Sequence, residues 1–135
     1  PYVIHVNDEL VRLAADYTER GIGLAAISSN DVDKYPIDSP DNMTAFAARS
    51  GYTFPYLYDE SQQTARDYDA ACTPDFYVFD AAGKLAYRGR LDDSRPNNNT
   101  PLSGQDLRAA LDAVLAGKEP AERQYPSMGC GIKWK

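Results

Sequence analysis

The chain has 135 residues, of which 43% are hydrophobic and 25% are charged, and its formal net charge is −6. This length suits one domain with a sizeable core, and an acidic balance without a basic stripe argues against nucleic-acid binding, because phosphate contacts need clustered Lys and Arg. No apolar run of about 18 residues is present, so we predict no membrane span.

A helical pattern begins almost at the first residue. Val6, Leu10, Leu13 and Tyr17 recur at the spacing of one helix face, which predicts an amphipathic helix over residues 2–20. The sequence opens on Pro1 without a methionine. We therefore expect that the protein is processed or that an N-terminal part precedes this segment.

Strands and helices alternate along the rest of the chain. Residues 22–27 form a continuous apolar run, typical of a strand covered on both faces. Ser39 or Asp41 is predicted to cap a helix that Gly51 ends, and Ser103 is predicted to cap the last helix. The remaining predicted elements are a strand over residues 54–58, a short helix capped by Asp59 or Ser61 and running to about residue 69, a strand over residues 76–79, a turn at residues 80–84 and a strand over residues 85–89.

The predicted fold class is α/β, with a mixed central sheet flanked by helices. Alternation of strands and helices indicates parallel pairing, and the hairpin over residues 75–89 adds an antiparallel edge. The first helix lacks the strand that a right-handed crossover needs ahead of it, so the first strand of the sheet is missing. We assign residues 1–117 to a single domain and residues 118–135 to an irregular tail packed on its body, because the tail carries apolar residues without periodicity.

Two cysteines and one histidine limit the metal chemistry of the chain. Cys72, Cys130 and His5 are too few for a four-ligand zinc site, so we predict no metal and no cofactor. Each cysteine has a plain alternative as a small buried hydrophobe. His5 is predicted to lie on the surface, with a place beside the site, one turn into the first helix, as the alternative.

Several motifs together resemble a known family. Pro1-Tyr2-Val3 opens the chain, Cys72-Thr73-Pro74-Asp75-Phe76 lies in its middle, and residues 129–135 close it with Gly-Cys-Gly-Ile-Lys-Trp-Lys. Between them stand Gly-Tyr-Thr-Phe-Pro-Tyr-Leu-Tyr-Asp at residues 51–59 and Leu-Asp-Asp-Ser-Arg-Pro at residues 91–96. These segments resemble bacterial thioredoxin family proteins of the peroxiredoxin-related AhpC/TSA (redoxin) branch.

The resemblance implies a thioredoxin-like fold and a thiol-disulfide oxidoreductase or thiol-dependent peroxidase, an antioxidant enzyme of the cytoplasm. Its substrate would be a protein disulfide or a peroxide, with a cellular thiol as reductant, while the oligomeric state stays open. In relatives a Cys-x-x-Cys pair directly precedes Pro-Tyr-Val, whereas here the sequence starts at Pro1. The alternative is therefore a non-catalytic binding module that keeps the fold without that chemistry.

Topology predicts where the site lies. In the implied fold three loops, at residues 28–30, 73–74 and 90–95, converge on the start of the first helix. In relatives the helix dipole at this point favours the thiolate. The predicted binding residues are Pro1, Tyr2, Asn30 and Arg95. The predicted catalytic residues are Thr73, Pro74 and, as a secondary thiol, Cys72.

Each site residue keeps an alternative interpretation. The Thr73–Pro74 bond is a cis turn whose backbone could pair with substrate, or an ordinary trans turn. Cys72 is a secondary thiol or an inert buried one, and Cys130 is a redox thiol or simply pins the tail. Arg95, or else Arg90, stabilises a thiolate or peroxide oxygen, or pairs with Asp92 or Asp93 on a solvated loop.

Overall fold

The computed structural model describes residues 2–135, and Pro1, predicted in the first helical turn and in the site, lies outside them. The predicted order of helices and strands is observed, with two further two-residue strands and one 3-10 helix. The elements are α1 (Tyr2–Thr18), β1 (Ala26–Ser28), the 3-10 helix (Pro36–Asp38), α2 (Pro40–Ser50), β2 (Tyr56–Tyr58), α3 (Gln63–Asp67), β3 (Cys72–Thr73), β4 (Phe76–Phe79), β5 (Leu85–Gly89), α4 (Gln105–Leu115) and β6 (Cys130–Gly131).

The strands form pairs rather than one sheet. Within residues 2–135, β1 pairs with β2, β3 with β6, and β4 with β5, and each pair is a two-stranded sheet. The β1–β2 pair is parallel and the β4–β5 pair is antiparallel, so the chain is a mixed α/β protein as predicted. None of the helices in this part of the chain combines the length and apolar character needed to cross a membrane.

The chain divides into two compact units. The first comprises the residues up to Leu13 together with Cys72–Cys130, and the second comprises Ala14–Ala71 together with Gly131–Lys135. The predicted tail is therefore shared between the units, with residues 118–130 in the first and the last five residues in the second. The single domain over residues 1–117 stays a prediction.

In the first unit, helix α4 packs on the β4–β5 hairpin. Leu107, Ala110 and Leu111 are buried on one face of α4, as their spacing predicts. On the hairpin, Val78 and Tyr87 stand opposite each other and are both buried. The turn between the strands is closed by Asp80, which accepts from the backbone N–H groups of Ala82 and Lys84, while Gly83 takes the positive φ of 80° that favours glycine.

In the second unit, helix α2 begins and ends as the sequence indicates. Ser39 is its N-cap and accepts from the N–H of Asn42, and Gly51 ends it with a φ of 76°. The strand predicted over residues 22–27 is shorter, since β1 starts only at Ala26. The prediction that both its faces are covered is wrong: Ile27 is 45% exposed, and its partner Leu57 is 50% exposed.

The end of the chain is fixed within the second unit by a buried amide. Gln62 is 1% exposed, and its Nε2 donates to the carbonyls of Ser29 and Lys133 at 2.8 and 2.9 Å. The N–H of Asp31 donates to the same Lys133 carbonyl. Gln62 is also the N-cap of α3, a position predicted for Asp59 or Ser61, although Asp59 still accepts from the N–H groups of Thr64 and Ala65.

Candidate functional site

A cleft of about 120 Å³ opens in the first unit at the start of helix α1. Three segments meet there: the first turns of α1, the turn before β4, and the loop that follows β5. A fourth segment, from the tail, closes one side. The lining residues are Tyr2, His5, Val6, Pro74, Phe76, residues 90–95, Pro126, Ser127 and Met128. The first unit thus brings together Tyr2, Pro74 and Arg95 from the predicted site.

The turn before β4 contains a cis bond between Thr73 and Pro74. Pro74 lines the cleft, whereas the Thr73 backbone is covered by the tail. The Thr73 hydroxyl donates to the carbonyl of Cys130 at 3.4 Å, and a Cβ on Gly129 would clash with the Thr73 carbonyl oxygen. A partner chain that paired with Thr73 would therefore have to displace residues 129–130.

The loop after β5 is organised by a buried carboxylate, Asp92, which is 5% exposed. Its Oδ1 accepts from the N–H and the hydroxyl of Ser94 at 2.8 and 2.5 Å. Its Oδ2 accepts from the N–H groups of Ser103 and Gly104 at 2.9 and 2.7 Å. Burial acts to raise the pKa of Asp92, but these four hydrogen bonds outweigh it and hold the pKa below its ordinary value. Asp92 is thus ionised at neutral pH.

The same carboxylate explains the start of helix α4. Ser103 was predicted as its N-cap, but the N-cap residue is Gly104, with a φ of 69° and no side-chain capping bond. Two backbone donors at this end point instead to Asp92, which lies twelve residues earlier than Gly104. The loop that lines the cleft and the start of α4 are therefore fixed by one side chain.

His5 joins this network from helix α1. Its Nε2 lies 2.9 Å from the Oγ of Ser94, which in turn donates to Asp92. The chain His5–Ser94–Asp92 thus crosses from the helix to the loop and ends in a buried charge. Its side chain is half-buried and lines the cleft, which is the alternative in which His5 neighbours the predicted site.

The two arginines of the loop have different partners. The Nε of Arg90 pairs with Asp106 at 2.6 Å, and its guanidinium lies 4.3 Å from the ring centre of Tyr125. Arg95 donates from one terminal nitrogen to the sulfur of Met128 at 3.2 Å, at the edge of the cleft. A ligand in the cleft could bind Arg90 only in competition with the Arg90–Asp106 ion pair. Arg95 is therefore the guanidinium better placed to bind a ligand.

Both cysteines are free thiols, each half-buried. The thiol of Cys72 lies 3.8 Å from the carbonyl oxygen of Pro74. Burial raises the pKa of this thiol, as do the nearby Asp75 and Cys130, against the opposing effect of Arg88. The raised pKa favours the protonated form of the Cys72 thiol, so this residue is not an activated thiolate.

Asn30, predicted as a binding residue, belongs to the second unit. Its side-chain nitrogen donates to Asp38 at 3.2 Å, and its oxygen accepts from the N–H of Lys133 at 2.9 Å. Both ends of the amide therefore have protein partners in that unit.

Sequence reasoning left His5 beside the site only as an alternative, and it gave Ser94 and Asp92 no role in binding or catalysis, although their loop was predicted to reach the site. Two signals were present. His5 stands three residues after Tyr2, so both share the face of α1 that reaches the cleft, and the Asp-x-Ser spacing at residues 92–94 is one in which Asp captures the N–H two residues on. Within residues 2–135, no three His, Cys, Asp or Glu side chains come together as a metal site.

Comparison with known proteins places the chain in a family. No curated protein matches it. A crystal structure of an uncharacterized conserved protein from Geobacillus kaustophilus is 60% identical with a TM-score of 0.98, covering 100% of this chain and 71% of that one. A crystal structure of a hypothetical protein from Sinorhizobium meliloti 1021 is 45% identical with a TM-score of 0.98, covering 100% of this chain and 74% of that one. The family model for AhpC/TSA matches residues 1–88, and the chain therefore belongs to the AhpC/TSA family.

Proposed function

We propose that the cleft is the site of a thiol-disulfide oxidoreductase or thiol-dependent peroxidase. One observation carries the proposal: the start of α1, the Thr73–Pro74 turn and the residue 90–95 loop line a single cleft. Membership of the AhpC/TSA family supports a thiol-dependent redox role in general. A helix start favours a thiolate, because free N–H groups and the helix dipole stabilise negative charge there.

The attacking thiolate in this proposal comes from a Cys-x-x-Cys pair directly ahead of Pro1 in the gene product. A strand before that pair completes the mixed central sheet of a thioredoxin-like fold. The substrate is a protein disulfide or a hydroperoxide, and a cellular thiol in the cytoplasm restores the reduced enzyme. This assigns the protein an antioxidant role.

Within the cleft, Arg95 is the residue best suited to a developing negative charge. A guanidinium stabilises a thiolate or a peroxide oxygen through planar, charge-assisted hydrogen bonds. Its contact with the Met128 sulfur is weak, because a thioether is a poor acceptor, so the guanidinium can turn to a ligand at little cost. We do not assign the first step to Cys72, because it is not among the residues that line the cleft and burial raises its pKa.

A second candidate function is a binding module without catalysis. The observation that favours it is that, among the lining residues that the structure describes, none is a cysteine. Such a module would use the cleft to hold a partner and would neither oxidise nor reduce it.

The test uses the full-length gene product, including the codons ahead of Pro1. Turnover of insulin disulfide identifies a reductase, and consumption of hydrogen peroxide with a thiol reductant identifies a peroxidase. The Arg95→Ala variant should lower kcat/KM by about 100-fold or more if the guanidinium stabilises the transition state. Lys84→Ala, on the exposed turn between β4 and β5, is the matched control. Absence of both activities in the full-length protein would decide for the binding module.

A further inference from the structure

We propose that His5 is the acid–base residue of this cleft, accepting a proton at Nδ1, and that Ser94 and Asp92 are the positioning residues that fix its orientation. The inference rests on the proposed thiol chemistry and adds to it the group that moves the proton.

The hydrogen-bond chain fixes which ring nitrogen of His5 carries a proton. Asp92 is ionised, so both its oxygens accept, and the Ser94 hydroxyl proton points to Oδ1 at 2.5 Å. The Ser94 oxygen then has only lone pairs to offer His5. At 2.9 Å the contact is a hydrogen bond only if Nε2 is the donor.

The direction of this chain excludes a nucleophilic serine. In a Ser-His-Asp triad, the serine donates to histidine and the carboxylate holds the other ring nitrogen. Here Ser94 donates to the carboxylate and accepts from His5, so its hydroxyl cannot be activated by the imidazole. The group left for chemistry is the second ring nitrogen, Nδ1.

In the neutral imidazole, a proton on Nε2 leaves Nδ1 with a lone pair. His5 lines the cleft one turn into α1, so that lone pair belongs to a side chain close to the helix start, and an imidazole is a common acid–base group. The hydrogen bond through Ser94 to the buried Asp92 carboxylate keeps the imidazole ring from flipping. A flipped ring would present Nε2, the donor, in place of Nδ1.

The charged groups around His5 come mainly from the loop. Tyr2 lies on its own helix, and Glu9, one turn further on, is bound to Arg12 and Arg108. The loop contributes Arg90, Asp92, Asp93 and Arg95. The turn and the tail contribute Pro74, Phe76, Pro126, Ser127 and Met128, none of which titrates, and Asp75 beside the turn accepts from Ser127 and Tyr77.

The proposed step balances without a further reagent. The attacking cysteine transfers its thiol proton to Nδ1, and its sulfur forms a bond to one sulfur of the substrate disulfide. The disulfide bond breaks, and the leaving sulfur takes the proton back from His5 as a thiol. With a hydroperoxide as oxidant, the attacking sulfur bonds to one peroxide oxygen and becomes a sulfenic acid while the O–O bond breaks, and the leaving oxygen takes the proton to form water or an alcohol.

His5 is the only histidine of these 135 residues, and the signals that disappear in His5→Gln identify its imidazole in the full-length protein. Long-range proton–nitrogen correlation of the imidazole in the full-length protein should show the tautomer protonated at Nε2. Ser94→Ala should mix the two tautomers. Ser103→Ala should leave the pattern unchanged, because its backbone N–H rather than its side chain binds Asp92. A ring protonated at Nδ1 in the unmodified protein would overturn the inference.

Kinetics provides the second readout. His5→Gln keeps a nitrogen donor for Ser94 but removes the base, so kcat/KM should fall by about 100-fold and its acidic limb against pH should disappear. Ser94→Ala should lower kcat/KM but keep the acidic limb of its pH profile, because the base is still present. This second variant tests the inference if His5→Gln folds poorly. If the full-length protein turns over and His5→Gln keeps the same rate and pH profile, the inference is wrong. The proposed function would still hold in that case. A full-length protein without turnover removes the proposed function itself.

Discussion

The carboxylate of Glu9 accepts from the Nε of Arg108 at 2.6 Å, and this contact links helix α1 to helix α4 in the first unit. Glu9 is 3% exposed although it lies on the first helix of an acidic chain. Arg12 binds its other oxygen at 2.9 Å. Desolvation of a buried carboxylate is costly, and the guanidinium partner that is itself more buried offsets most of that cost.

Removing Arg108 should therefore destabilise the protein more than removing Arg12. The Arg108 side chain is 26% exposed, and that of Arg12 is 56% exposed. We expect Arg108→Ala to lower the free energy of unfolding by about 2–3 kcal/mol. Arg12→Ala, the matched control, should cost less than about 1 kcal/mol. Urea unfolding of both variants is the measurement, and equal losses would show that the burial of the arginine does not decide what each contact contributes.

Alkaline pH should weaken the fold through Tyr87. Burial, followed by the nearby Asp106, raises the pKa of Tyr87 to about 12, and its hydroxyl donates to the Arg90 carbonyl at 2.5 Å. Since the folded pKa exceeds the unfolded one, the stabilisation is complete below about pH 10 and is lost as pH rises through about 12. We expect a loss of about 2 kcal/mol over that range.

The control for this prediction is Tyr87→Phe, which cannot ionise. Its free energy of unfolding should be lower at neutral pH, because the Arg90 carbonyl loses its donor, but should fall less steeply above pH 10. Burial also raises the pKa of Tyr52 to about 12, so part of the slope should survive. An unchanged slope in Tyr87→Phe would assign the whole effect to other groups.

Cys72 should react slowly with alkylating reagents at neutral pH. Its pKa is raised by burial, and only the thiolate reacts. In the native protein we expect iodoacetamide to modify Cys72 more slowly than in the same protein unfolded in urea, where the thiol regains its ordinary pKa. Peptide mass spectrometry gives both rates. A native rate equal to or above the unfolded rate would support the alternative in which Cys72 is a secondary redox thiol.

The two methionines should differ in their sensitivity to peroxide. Met128, beside Arg95, is 52% exposed, whereas Met43 is 6% exposed. Hydrogen peroxide should convert Met128 to the sulfoxide well before Met43, as peptide masses will show. Met43 is thus an internal control in the same sample. Similar rates at both positions would mean that the contact with Arg95 shields the Met128 sulfur.

Local signals were enough to predict many of the elements. Ser39 and Gly51 bound helix α2 because a hydroxyl and a positive φ are needed within one residue of its ends. The turn between β4 and β5 follows from Asp80 and Gly83 for the same reason. Each of these features depends on residues that are neighbours in sequence.

The site depended on residues that are far apart. His5 and Ser94 are 89 positions apart, and neither has a periodic pattern that marks a partner. The start of α4 was missed for a related reason, since its two backbone donors are satisfied by Asp92 from another segment. The single mixed central sheet of the prediction is not observed within residues 2–135, where the strands, two to five residues long, pair two by two.

The close approach of Gly129 to Thr73 has a consequence for how this chain tolerates change. Any side chain at residue 129 would collide with a main-chain carbonyl, which cannot rotate away as a flexible side chain could. In a saturation library, residue 129 should therefore accept glycine alone, even though it sits in a stretch without helix or strand. A segment that looks permissive by its irregularity is thus among the most restrictive in the protein.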